Sequence, residues 1–144
     1  MIEQYELKPF EINVLNKRRT IVEKLVSLVR FSFEDDVVKS VSSKIRHFYD
    51  LYYLAIDREC AKYLQTSEFQ KDLSELLIHD QQEFDRPKGW QTKMVKDSPL
   101  VKDFPTLWKN LSLTYQSELT PLAFSEIPDE KLVADSFVEI MKKI

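Results

Sequence analysis

A single glycine, Gly89, stands among 144 residues, and that scarcity excludes whole classes of chemistry. Phosphate-cradling loops and dinucleotide turns need several glycines so that backbone N–H groups can approach a ligand, so this chain by itself can build neither a P-loop nor a Rossmann turn. Cysteine is equally rare. Cys60 has no second cysteine to bridge, and with His47 and His79 it offers no recognisable zinc spacing. It reads as a small buried hydrophobe in a reducing compartment, with no structural metal. No apolar run approaches the roughly 18–20 residues that span a bilayer, and Met1-Ile2-Glu3-Gln4-Tyr5-Glu6 lacks the charged-then-apolar order of a signal peptide. A cytoplasmic location with no membrane partner is expected. A net charge of −3 leaves no excess of positive charge, so no specific nucleic-acid partner is indicated.

Hydrophobic residues make up 43% of the chain and charged residues 31%, a balance that argues against disorder. A chain of this length can bury about two-thirds of the surface that its unfolded form exposes. Residues 5–15 alternate at Phe10, Ile12 and Val14, which suggests a lone strand with Pro9 at its edge. Thr20-Ile21-Val22-Glu23 has the form of a capping box, predicting a helix from about Ile21 with an apolar arc through Leu25, Val26, Leu28, Val29 and Phe33. Val37 to Ser43 reads as a turn-like connection in which Ser42 or Ser43 caps the next helix. Asp57 to Leu64 reads as a short helix or a frayed continuation. Ser67-Glu68-Phe69-Gln70 forms a second box and opens a helix to about Phe84, whose solvated side carries His79.

Residues 85–101 hold Pro87, Gly89 and Pro99 and form the longest irregular segment, tied over the core by Trp90 or left free for function. Pro105 opens a helix to about Leu119, and Pro128 opens a last one, with Asp129 and Glu130 at its positive end and Lys142 and Lys143 at its negative end. The expected fold is mainly α, one domain over residues 1–144. An extended or β N-terminal segment, 1–19, precedes a compact bundle of about five helices, 20–144.

The chain is organised around Lys44-Ile45-Arg46-His47-Phe48-Tyr49-Asp50-Leu51-Tyr52-Tyr53-Leu54-Ala55-Ile56. At 100° per residue, Ile45, Phe48, Tyr49, Leu51, Tyr52, Ala55 and Ile56 fill an arc wider than an ordinary amphipathic stripe, which places this helix at the centre. Arg46 and Asp50 fall together on the other side, hemmed in by His47, Tyr53 and Leu54. Four residues apart, they can form an ordinary surface ion pair contributing about 0.2–0.5 kcal/mol. Equally, a charged pair among apolar neighbours is a candidate site. Upstream, Lys24 lies at the margin of its helix's apolar arc, where it can bury its stem and present its amine.

The order Thr20-Ile21-Val22-Glu23-Lys24-Leu25-Val26-Ser27-Leu28-Val29-Arg30, a short spacer, then Lys44-Ile45-Arg46-His47-Phe48-Tyr49-Asp50-Leu51-Tyr52, resembles the C-terminal half of the AbiEii/AbiGii-type nucleotidyltransferases, toxin components of bacterial abortive-infection systems. Ser98-Pro99-Leu100 with Trp108, and the Ile127-Pro128-Asp129-Glu130 helix start, fit the same family. The resemblance implies that Lys24 and Asp50 are the family-matched candidates for a catalytic role, and that Lys24, Arg30, Arg46 and Asp50 bind or brace a nucleotide, with the amine on phosphate oxygens. His47 stands where the family often has another aspartate.

The family's glycine motif and metal-binding carboxylates have no counterpart before Thr20, where Glu11 is a carboxylate without companions. The resemblance therefore implies a helical half that is not catalytically competent alone, a truncation, excised domain or separately encoded remnant. No cofactor is expected for this chain alone, and Mg²⁺ and an NTP enter only if a complete site is assembled. The partners implied are a separate α/β nucleotidyltransferase portion, an antitoxin or a second copy. A different class of function remains open, a non-enzymatic interaction or self-association module using the lone strand and the Lys24/Arg46/Asp50 face.

Overall fold

Apolar residues at helical spacing recur along almost the whole chain, and the computed structural model, described here for residues 14–119 and 128–144, folds them into eight α-helices and no strand among those residues. Five are long: α1 (Val14–Phe31), α3 (Ile45–Ile56), α5 (Ser67–Glu83), α7 (Phe104–Leu119) and α8 (Glu130–Met141). Three are short: α2 (Val37–Ser42), α4 (Arg58–Leu64) and α6 (Pro99–Lys102). The mainly α class expected from the periodicity is the class observed. The proposed strand at Phe10 and Ile12, with Glu11, lies outside the described residues.

Helix α3 occupies the centre, packed on α1, α4, α7 and α8. Its Phe48 ring is 1% exposed and meets Phe104, Trp108 and Phe137 at centroid distances of 6.3, 5.2 and 5.0 Å. The Trp108 and Phe137 contacts are edge-on, the geometry in which the positive rim of one ring meets the negative face of another. Ile45 and Leu51 complete the buried face of α3.

Helices α1 and α3 run antiparallel, and three contacts fix their register. Lys17 Nζ meets Asp57 Oδ1 at 2.9 Å, Lys24 Nζ meets Asp50 Oδ2 at 2.9 Å, and the Lys44 amine lies 4.8 Å over the Phe31 ring. Lys17, Lys24 and Phe31 recur at every seventh position, the repeat that keeps one helix face against a neighbour. Helices α1 and α5 run in the same direction, with Arg18 reaching Glu68 at 3.6 Å near their starts and Arg30 lying 4.2 Å over the Phe84 ring near their ends.

Several local boundaries differ from the expectation. Residues 14–19 are helical, not extended, and Thr20 lies inside α1, so it cannot be its cap. Lys17 and Arg18 look like solvent residues in the sequence, but each continues the packed surface, Lys17 on Asp57 and Arg18 5.1 Å over the Tyr63 ring. The connection at Val37 to Ser42 is a helix, capped by Asp36, whose side chain accepts from the Lys39 N–H. Ser43 donates to the Ser40 carbonyl and does not cap α3. Thr66, one residue before the expected box, caps α5, and Asp129 rather than Pro128 begins α8. Asp57 accepts from the Cys60 N–H and makes α4 a helix of its own. Cys60 is buried, which pushes its thiol up to about 11.

The segment after α5 is tied over the core by Trp90, as the first of the two readings has it. Trp90 is fully buried, and its indole N–H donates to the Phe84 carbonyl at 2.9 Å. The turn before it needs a positive φ, which Gly89 supplies at 86°. Farther on, Ser98 caps α6 and shares a buried 2.6 Å hydrogen bond with Ser32 at the end of α1.

Two stability outcomes follow. Phe48→Ala removes the ring shared by three helices and is expected to cost about 3–5 kcal/mol in urea unfolding. Gly89→Ala meets no steric obstacle within 4 Å, so it should cost only the left-handed backbone penalty, about 1–2 kcal/mol.

Candidate functional site

Lys24 and Asp50 come from different helices. Lys24 is on α1 at the edge of its buried face, between the fully buried Leu28 and the part-buried Phe31. Asp50 is on α3, next to the buried Leu51. The antiparallel register brings the amine and the carboxylate to 2.9 Å, with side chains 22% and 32% exposed. The pair is therefore open to solvent at its outer edge while its stems are anchored in the core. In such half-wet surroundings an ion pair contributes about 0–1 kcal/mol to folding, so its strength does not by itself account for its position.

Asp50 is paired with Lys24 and not with Arg46, which corrects the expected i,i+4 pair. Arg46 is exposed and forms no ion pair among the described residues. It shares the outward stripe of α3 with Asp50 and Tyr53, while Tyr49 packs against the core. The Tyr49 and Tyr53 rings meet edge-on at 5.0 Å, and Tyr52 meets Tyr53 at 5.4 Å. Arg30 goes elsewhere. Its guanidinium lies over Phe84, and its Nε donates to the Arg86 carbonyl at 2.8 Å, clasping the loop that follows α5. Of the four residues singled out in the sequence, the structure joins Lys24 to Asp50, places Arg46, with no ion pair among the described residues, on the same stripe of α3 as Asp50, and engages Arg30 with the loop.

His47 is half-buried beside this pair. Burial, then the positive charges of Lys24 and Lys44, bring its pKa down to about 4, against a smaller opposing pull from Asp50. It is a neutral imidazole at physiological pH. His79, by contrast, is exposed beside Asp80, as expected. Lys44 is a member of this cluster that local spacing does not reveal. The signal that could have found it is Phe31, third in the seven-residue series that begins at Lys17 and Lys24.

Two-metal phosphoryl chemistry needs clustered carboxylates. Among the described residues, no group of three or more His, Cys, Asp or Glu side chains could hold a metal ion. Asp50, engaged by Lys24, does not make such a set. Among the same residues no helix is long and apolar enough to cross a membrane.

The linked helices and their Lys–Asp contact correspond to the two motifs noted in the sequence, and a family model described as "Nucleotidyl transferase AbiEii toxin, Type IV TA system" matches residues 1–136. The chain belongs to this family. No curated protein and no solved structure gives a significant match. The AbiEii assignment makes a nucleotidyltransferase-like toxin the kind of protein at hand.

The pH dependence follows from His47. Its folded pKa lies below the unfolded value near 6.5, so between about pH 6.5 and 4 the unfolded chain binds the extra proton. Stability is expected to fall as pH is lowered through that window. Urea midpoints for the parent chain and His47→Gln at pH 7 and 4.5 should show a smaller drop for the variant.

Proposed function

We propose that this chain provides the helical part of an AbiEii-type nucleotidyltransferase toxin, in which Lys24 contacts the phosphates of an NTP and Asp50 holds the Lys24 amine in place. The observation that carries this reading is the 2.9 Å Lys24–Asp50 contact, made across two helices and left partly open to solvent. A lysine on a flexible stem is a mobile point charge, and a fixed carboxylate limits where that charge can be. Arg46, exposed one turn before Asp50 and without an ion pair among the described residues, is the second cation for a phosphate arriving on this face. The neutral state of His47 keeps a further positive charge off the site.

Transfer itself requires metal-binding carboxylates, and the described residues do not assemble them. In this reading they belong to an α/β portion that completes the site over Lys24 and Asp50, and the chain alone is not competent. Mg²⁺ and the NTP are then shared ligands of the completed site. The family's place in a toxin–antitoxin system supports an antitoxin as a partner.

Labelled NTPs in Mg²⁺ are expected to show no detectable binding to this chain alone and clear binding once an α/β nucleotidyltransferase portion is supplied. Tight binding to the chain alone would overturn the incompleteness. In the completed assembly, Lys24→Met and Asp50→Asn should each lower nucleotide transfer by about 100-fold, the scale of a misplaced reacting group. Their unfolding midpoints should move by no more than the worth of a half-exposed ion pair, about 1 kcal/mol. Unchanged transfer in either variant would remove the pair from the site.

A further inference from the structure

A second feature lies away from Lys24 and Asp50. Four exposed apolar side chains, Ile78 (54%), Met94 (55%), Val101 (43%) and Ile144 (40%), converge on one groove of about 470 Å³ between α5, the segment after Trp90, α6 and the end of α8. Leu77 and Met141 deepen it toward the core. The only charged side chains on its walls are Lys93 and Lys96, and neither has an ion-pair partner among the described residues. The lining itself carries two lysines and no carboxylate side chain among the described residues, and exposed apolar surface rimmed by polar residues is where another molecule can dock.

The backbone of the groove wall restricts what that molecule can be. Lys93 and Met94 are extended, the geometry in which a sheet edge accepts an added strand, but their polar groups are already used. The Lys93 N–H donates to the Trp90 carbonyl, and its own carbonyl accepts from the Gln81 amide at 2.8 Å. The Met94 N–H donates to Asp97 Oδ2 at 3.0 Å, and its carbonyl accepts from the Asp97 N–H. Strand addition draws its affinity from free main-chain groups. None is available at these two residues, so recognition here must go through side chains.

We propose that this groove docks an amphipathic α-helix of a partner protein, with apolar residues at i, i+3 or i+4, and i+7 seated against Ile78, Met94 and Val101, and with Asp or Glu at its edge facing Lys93 and Lys96. The charge of the rim selects an acidic partner, and the apolar walls supply the affinity. The docking is independent of the nucleotide reading, since the groove shares no residue with Lys24, Arg46, His47 or Asp50.

Panning a library of displayed helical 18-residue peptides against the purified chain tests this. The expected winners carry the apolar spacing with flanking acids, and their synthetic forms lose at least about tenfold in affinity for Ile78→Asp and for the Lys93→Glu, Lys96→Glu double variant, about 1.4 kcal/mol. Leu113→Asp, at an exposed position outside the groove, should bind them as the parent does. Because Ile78 and both lysines are exposed, unchanged melting curves will show that the variants fold. Failure to select any peptide, selection of basic peptides, or binding indifferent to Ile78→Asp would overturn the proposal. So would dimerisation of the parent chain that Ile78→Asp abolishes, which would assign the groove to a second copy.

Discussion

The antiparallel seam between α1 and α3 is the constraint from which the rest of the structure follows. Two ion pairs and one amine–ring contact hold its register, and all are made by part-buried residues. With that register set, the opposite face of α3 is turned toward α7 and α8, and Phe48 is delivered into the ring of Phe104, Trp108 and Phe137. A shift of one helical turn along the seam would separate Lys24 from Asp50 and Lys17 from Asp57. The Lys24–Asp50 pair and the core are thus positioned by the same set of contacts.

The polar groups farther out are tied to this frame rather than scattered over it. Tyr115 is buried against α3 and donates to the Pro128 carbonyl at 2.9 Å, and its burial raises its pKa to about 12. Trp108 donates to Glu130, so both buried polar tips of α7 end on the first turn of α8 or the residues just before it. A buried polar group without a partner is costly, which makes these two bonds a specification of how α8 enters the bundle. Arg30 performs the corresponding service for the loop after α5, where its stacking on Phe84 and its bond to Arg86 hold the chain over Trp90.

What was legible in the sequence is what depends on period. The wide apolar arc of Ile45, Phe48 and Leu51 announced a central helix, Phe69, Leu73, Leu76 and Leu77 announced α5, and Trp90 was readable as a tie because a large apolar ring with one donor has few other uses. Helix starts were less legible, because Thr20 has the form of a cap while Lys17 and Arg18, which extend the helix past it, owe their place to Asp57 and Tyr63 far along the chain. Helix α2 is six residues long and too short to show a period. The proximity of Lys24 and Asp50 was legible through the family resemblance of their two motifs. The partner of Arg30 and the neutrality of His47 were not, since each depends on residues brought near only by folding.

Asp57 illustrates how few parts this architecture uses for its joints. The same carboxylate starts α4 through the Cys60 N–H and accepts the Lys17 amine from α1, and these bonds hold it below the usual carboxylate range. The corner between α3 and α4 is therefore not a free swivel. It is a pinned elbow whose angle is dictated by a neighbouring rod, so that α1, α3 and α4 form one stiff bracket on which any lobe arriving at the Lys24–Asp50 face would bear.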